Sequence, residues 1–430
     1  MKMPLTNSFD ILYYTPRFYP AISGAEFYIM NLALQMQQNL KHAQIICSTS
    51  VDFKGLRSPN GSHVDISHPN YTTYKNLSVR RISPEFNYKE PEFLQLINGI
   101  DIPICSSVFQ MLKNGPNHTR FFTYLIQEFS RNPHVKPKLI HSTYLPYATI
   151  LFALIFSQKL QIPSVCTPFY HIYNPRYQDN SFISLLGFYD RILACTETEK
   201  QWLVKEGISS DKILTIPMGV NPKLYESFPK TRSGKKKSFK QAFNITKPFV
   251  LFCGNKNYEK GAISVLKAAA SRSDKLKELS FVFIGPSSAA FDSELKKTRK
   301  YGINIVNITP DNLMGFYDWR KISAFQECSL YIMPSRSDAY GISYLEAWAS
   351  KKPVIGADTP VMREVIRHKK DGLLVEFDNV VQISNAIEFL LHNPQISSEM
   401  GILGHNKIQK HNLWEHVYEK TMHAYNQLIQ

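Results

Sequence analysis

The sequence predicts an α/β protein of two doubly wound domains, and three observations carry that prediction. A chain of 430 residues with 43% hydrophobic content is too long for one ordinary core and apolar enough to fill two. Short β-rich runs alternate with helical patterns along most of its length, as expected of parallel strands joined by covering helices. Each half also opens alike, on a strand, a glycine-bearing turn and a helix: FDILYYT leads to Ser23-Gly24-Ala25-Glu26, and PFVLFCGNKNYEK leads to Gly261.

Taken in order, the first half predicts strands at Phe9–Tyr14, Ala43–Cys47, Val79–Ile82, Leu139–His141, Ser164–Thr167, Arg191–Cys195 and Ile213–Ile216. The second predicts them at Phe249–Cys253, Phe281–Gly285, Ile303–Ile308, Leu330–Met333, Pro353–Gly356 and Gly372–Val375. The stretch from Val51 to Val135 is rich in Pro, Asn and Tyr and reads as loops and helices that customise a binding face. Between the halves, Phe228–Lys240 (FPKTRSGKKKSFK) shows no apolar periodicity until Phe239 and reads as a solvated basic loop. These patterns give an N-terminal domain over residues 1–225, a linker over 226–245 and a C-terminal domain over 246–409. The terminal segment 410–430 has helical spacing from Trp414 to Ile429 and is available to pack back on the first domain.

Composition narrows the function classes. Fifty Lys+Arg against 35 Asp+Glu give a net charge of +15, which favours anionic partners such as phosphorylated substrates, anionic headgroups or nucleic acid without choosing among them. The six cysteines are scattered, mostly in apolar runs such as SVCTP and ILACT, and none has metal-ligand spacing, so reduced buried thiols are expected. No signal peptide is read at the N-terminus, and the longest apolar run, Tyr147–Phe156, is about half of what spans a bilayer. A cytoplasmic protein is expected, with a charge that permits peripheral docking to an anionic membrane face. No G-x-G-x-x-G and no Walker-type loop is found, which counts against a dinucleotide oxidoreductase and a P-loop NTPase.

The most informative stretch is Pro334–Ile355, PSRSDAYGISYLEAWASKKPVI. Asp338 precedes a turn at Gly341, and Glu346 follows inside a helix expected to start near Gly341 or Ile342. The first amides of such a helix are unpaired donors with partial positive charge, suited to a phosphate, and a carboxylate further in can accept from hydroxyls of the same ligand. An ordinary βα unit with a solvated Glu346 is the plain alternative. The first turn of each half adds to this: Gly24 permits close backbone approach, and Lys256 and Lys260 flank a helix start around Gly261, where ammonium groups would cradle a diphosphate or simply lie in solvent.

In this order, P-x-x-x-G-A-E near the start, TIPMGVNPKLY, CGNKNYEKG, the PSRSDAYGISYLEAWASKKPVI block, ADTPVMREVI and DGLLV make the chain resemble the retaining GT-B glycosyltransferases of family four, the group 1 family, over nearly its whole length. The resemblance implies two Rossmann-like domains facing across a cleft, with the C-terminal one holding a nucleoside diphosphate sugar. It implies ribose hydroxyls on Glu346 and the sugar or phosphates on the amides of Gly341, Ile342 and Ser343. Lys260 would meet the diphosphate, Gly24 would approach it from the other domain, and the backbone near Ile308 would meet the base. His171, in TPFYHIYN, matches in kind a family histidine close to the reacting sugar. Two departures stand out: Asp338 replaces the usual Glu, and Asn255 stands where the family commonly has Arg, with Lys256 one position on.

The expected activity is therefore glycosyl transfer from a nucleoside diphosphate sugar to an acceptor hydroxyl with retention, catalysed through His171, Asp338 and Lys260. The donor is a substrate, and neither a cofactor nor a metal is expected. The acceptor would be a glycan, a lipid-linked sugar or a small molecule, and no nucleic acid is expected. Two rivals keep other chemistry open: a nucleotide-sugar epimerase or hydrolase of the same fold, and a non-catalytic protein binding anionic glycans or lipids.

Overall fold

The structure, a computed structural model, describes residues 10–429 apart from 22, 68–72, 103–105, 229, 231–233, 235, 273–275, 277 and 311–316. It divides into two α/β units: one holds the chain up to Ile216 together with Val417 onward, the other Pro217–His416.

The first unit is built on an eight-stranded sheet. Its strands are β1 (Ile11–Tyr14), β2 (Ala43–Ser48), β3 (Thr73–Tyr74), β4 (Leu77–Ile82), β5 (Leu139–Thr143), β6 (Ser164–Thr167), β7 (Arg191–Ala194) and β8 (Ile213–Thr215). They lie in the order β3-β4-β2-β1-β5-β6-β7-β8, with only the β3–β4 pair antiparallel. In β1, Leu12, Tyr13 and Tyr14 are fully buried, because helices cover both faces of a parallel sheet. Ile11 stands opposite Ala43 on one side and Leu139 on the other. The chain thus runs outward from β1 through β2 and then returns to β1's other side at β5, which opens a crevice at the carboxyl ends of those strands.

The second unit repeats the plan with six parallel strands: β9 (Phe249–Cys253), β10 (Ser280–Ile284), β11 (Asn304–Ile308), β12 (Leu330–Met333), β13 (Val354–Ala357) and β14 (Gly372–Val375). Their order is β11-β10-β9-β12-β13-β14, so the reversal falls between β9 and β12.

Each strand read from the sequence coincides with one of these to within two residues at either end; Phe9 lies outside the described residues. The two-residue β3 is the addition. The stretch from Val51 to Val135 holds the β3–β4 pair and the helices Glu90–Ile97, Ser106–Asn114 and Thr119–Arg131, with Phe93, Met111 and Phe122 buried. The apolar run from Tyr147 becomes the buried helix Thr149–Leu160, and no helix among the described residues is long and apolar enough to cross a membrane.

In the basic run Lys230, Gly234 and Lys236 are exposed. The division falls at Ile216, ahead of this run, which belongs to the second unit. Pro229, Thr231–Ser233 and Lys235 lie outside the described residues. At its end Ser238 Oγ donates to Glu327 and accepts from Gln241 N, capping the short helix Phe239–Ala242, while Phe239 N donates to Ser323 Oγ at 2.9 Å. Phe239, where the apolar pattern resumes, is fully buried and anchors the end of the run. At the far end, the helix Trp414–Asn426 gives Val417 onward to the first unit, where the Tyr425 hydroxyl lies 2.5 Å from His141 Nδ1.

Candidate active site

The second unit gathers most of the sequence-predicted residues at the β9/β12 reversal. After β9 the chain passes Gly254 and Asn255 and enters a turn that ends at Lys260 and Gly261, the latter at φ +75 and heading the helix Ala262–Ser271. A Cβ on Gly261 would meet the Pro334 carbonyl oxygen at 2.4 Å, so this turn rests directly on the chain leaving β12. Arg336 reinforces the contact, pairing with Glu259 through two side-chain hydrogen bonds and donating its own N–H to the Glu259 carbonyl.

After β12 the chain turns at Gly341, φ +87, which heads the helix Ile342–Ala349. Glycine is needed there, since a Cβ would stand 2.5 Å from the Tyr344 ring. The Tyr331 hydroxyl lies 3.1 Å from the Cys253 carbonyl and 2.5 Å from Ser343 Oγ, tying the end of β9 to the first turn of that helix. The leading amides of the helix have no partner four residues back and present donors at the carboxyl edge of the sheet.

Lys260 and Asp338, 78 positions apart in the chain, meet here. Lys260 Nζ lies 2.8 Å from Asp338 Oδ2 and 3.5 Å from the Ser337 carbonyl, with side chains only 18% and 12% exposed. Glu346, on the second turn of the helix, is 4% exposed. Its Oε1 accepts from the Tyr225 hydroxyl at 2.6 Å and from Lys321 Nζ at 2.7 Å. Burial works against the charge of Lys321, yet the Glu346 carboxylate outweighs it and lifts the Lys321 pKa above its ordinary value. Burial, then the same carboxylate, raises the Tyr225 pKa well above the ordinary phenol value. Tyr225 closes the TIPMGVNPKLY motif, which gives no sign of its partner, and Lys321 falls in none of the quoted motifs.

Lys256 departs from both readings of it, the solvated and the cradling one. It is fully buried, and its Nζ donates to Asn307 Oδ1 and, at 3.0 Å, to the Ile308 carbonyl. Burial lowers its pKa to about 8. Its backbone bridges to Ser287, which turns the side chain beneath β10 and β11. Ile308 closes β11, and its carbonyl also accepts from Gly285 N at 3.0 Å, so Lys256 fixes the strand end that was expected to meet a base. Asn255 is exposed.

Gly24 and His171 belong to the first unit. Gly24 is exposed and begins the helix Gly24–Gln38 that follows β1 at its own reversal point. Beside it Glu26 is buried against Arg17 at 3.0 Å, and Arg17 stacks over Phe53 at 3.8 Å and donates to the Val51 carbonyl, a cluster the sequence reading did not pick out. His171 lies in the loop after β6, half-buried, its ring 4.9 Å from that of Tyr177. The same loop borders a hollow of about 640 Å³ lined by Gln110, Asn114, Arg176, Gln178 and Asn180 over buried Phe182. Among the described residues no group of three or more His, Cys, Asp or Glu is placed to hold a metal ion.

Comparison with known proteins decides the family. The model of the glycosyl transferases group 1 matches residues 234–407, and that of glycosyltransferase family 4 matches residues 22–224, so the two together span most of the chain. The chain belongs to the group 1 glycosyltransferases. A glycosyltransferase of Haemophilus influenzae, itself uncharacterized, is 24% identical over 264 residues, 59% of this chain and 67% of that protein. The N,N'-diacetylbacillosaminyl-diphospho-undecaprenol alpha-1,3-N-acetylgalactosaminyltransferase of Campylobacter jejuni is 26% identical over 230 residues, 51% of this chain and 56% of that protein. Among solved structures, HepE of Anabaena in complex with UDP-glucose superposes with a TM-score of 0.71 at 14% identity, covering 97% of this glycosyltransferase and 100% of that chain. Sucrose-phosphate synthase of Thermosynechococcus elongatus gives 0.69 at 16% identity over 97% and 99%. These superpositions place the two parallel-sheet α/β units of this glycosyltransferase in the GT-B fold.

Proposed function

We propose that this glycosyltransferase takes a nucleoside diphosphate sugar as donor and moves its sugar to an acceptor hydroxyl with retention at the anomeric carbon. One observation carries the reading: Lys260 meets Asp338 just ahead of the Gly341 helix start, at the strand-order reversal of the second unit where doubly wound folds hold nucleotides, and Glu346 stands on the second turn of that helix. HepE, whose structures contain UDP and UDP-glucose, supports the donor class. As the bond from the anomeric carbon to the diphosphate breaks, negative charge grows on the departing phosphate oxygens. Lys260 and the amides of Gly341, Ile342 and Ser343 stabilise it, and Glu346 accepts from the ribose hydroxyls. In this reading Asp338 holds Lys260 and faces the sugar, and His171 and Gly24 are the first unit's candidate residues. This chemistry calls for no resident metal.

The hollow bordered by the loop that carries His171 suits a glycan acceptor, since its amide side chains, with Arg176 and Asp179, can donate to and accept from vicinal hydroxyls. The name of the Campylobacter relative supports an acceptor carried on a lipid diphosphate. Incubation with UDP, GDP and ADP sugars is expected to release nucleoside diphosphate, with the anomeric configuration of the product read by NMR. Lys260→Ala and Glu346→Ala should each abolish release; turnover equal to wild type in both would refute the assignment.

A further inference from the structure

The surroundings of Glu346 show an asymmetry that its sequence position does not reveal. Both of its donors, the Tyr225 hydroxyl at 2.6 Å and Lys321 Nζ at 2.7 Å, go to Oε1. Among the described residues none goes to Oε2. The donors come from separate elements: Tyr225 from the short helix Lys223–Glu226 and Lys321 from the helix Trp319–Glu327, while Glu346 stands on Ile342–Ala349. Gln326 pins the first of these by donating to the Tyr225 and Ser227 carbonyls at 3.0 and 2.9 Å.

Two donors on one carboxylate oxygen fix the terminal torsion of the side chain, which is otherwise broad, and so set the direction in which the second oxygen points. A carboxylate oxygen with its direction fixed and no donor among the described residues matches a ligand carrying two adjacent hydroxyls, each donating.

We propose that Lys321 and Tyr225 are positioning residues for the donor's ribose: by holding Oε1 they aim Glu346 Oε2 at the vicinal 2′- and 3′-hydroxyls. The inference rests on the nucleotide reading given above. Neither residue touches the sugar being transferred. Their effect is confined to how well Glu346 tells a ribonucleotide from a nucleotide lacking one of those hydroxyls.

The test is calorimetric binding of UDP, 2′-deoxy-UDP and 3′-deoxy-UDP, or the same series on guanine or adenine if wild type prefers that base, to wild type, Tyr225→Phe, Lys321→Met and Lys321→Arg. Wild type is expected to favour the ribonucleotide by about tenfold or more, the range of a hydrogen bond to a charged acceptor. Tyr225→Phe and Lys321→Met should bring that ratio towards one while changing deoxynucleotide affinity by less than about threefold, and Lys321→Arg should restore part of the discrimination. A merely structural role would weaken all three ligands together and leave the ratio intact, which would overturn the proposal, as would a wild type with no preference for the ribonucleotide. Tyr225→Phe removes a single oxygen, so it decides the matter alone should Lys321→Met not fold. Failure of wild type to bind any nucleoside diphosphate would instead refute the donor reading beneath it.

Discussion

At the scale of single residues, the Lys260–Asp338 pair holds the sharpest consequence. The ammonium proposed to meet the diphosphate is held by a carboxylate at 2.8 Å, so an incoming phosphate would compete with Asp338 for it. Asp338→Asn keeps the shape and removes the competitor. Free nucleoside diphosphate should then bind about fivefold tighter, the equivalent of about 1 kcal/mol for a partly exposed pair. Turnover should fall all the same, because the carboxylate that holds Lys260, and that is proposed to face the sugar, is lost. Lys260→Ala moves the other way, weakening nucleotide binding and lowering kcat by roughly 10²–10³ if its charge acts chiefly on the leaving group. Calorimetry with nucleoside diphosphate and steady-state rates on both variants separate the effects; an unchanged affinity in Asp338→Asn would show that the pair does not guard the site.

At the scale of elements, the two turns at the β9/β12 reversal act as one body, and Gly261 is where they touch. Gly261→Ala would impose a left-handed backbone on an L-residue, costing roughly 1–2 kcal/mol, and push a methyl into the Pro334 carbonyl. The melting temperature should fall and nucleotide affinity should fall with it, because both turns must shift; an unchanged melting temperature would contradict the docking. Strand positions are legible in the sequence because strands buried on both faces read as short apolar runs, LFC and LYIM among them, cut by Gly and Pro. The start of the helix at Gly341 is legible for a related reason, since the lone glycine between a strand and a helical pattern marks the φ only glycine takes without strain. What the sequence hides is side-chain direction and long-range pairing. Lys256 and Lys260 sit four positions apart in one turn, yet one ammonium runs under β11 and the other meets Asp338. Tyr225 lies 121 positions from Glu346, in a segment whose neighbours read as a linker.

At the scale of the whole molecule, the first unit buries two imidazoles, one on its sheet and one at the head of the helix Thr119–Arg131. His141 sits in β5 with Thr167 Oγ1 2.8 Å from one ring nitrogen and the Tyr425 hydroxyl 2.5 Å from the other. His118 lies 2.9 Å from the Tyr14 hydroxyl. Burial lowers both pKa values to about 3, against an ordinary value of 6.5. Between those limits the unfolded chain binds a proton at each site that the folded chain refuses, so stability is unaffected by these groups above pH 6.5 and declines as pH falls towards 3. Each contributes a slope of about 1.4 kcal/mol per pH unit through that window. Urea midpoints measured from pH 7 to pH 5 should therefore drop, and the drop should be shallower in His118→Gln and in His141→Gln, whatever the absolute stability of either variant. The comparison of slopes isolates titration from lost packing, because a missing contact lowers the curve at every pH alike whereas a missing imidazole flattens it only below 6.5. Parallel slopes in wild type and both variants would mean that these histidines accept protons in the folded chain. The paired hydroxyls of Tyr14 and Tyr425 would then be serving imidazolium rather than neutral rings.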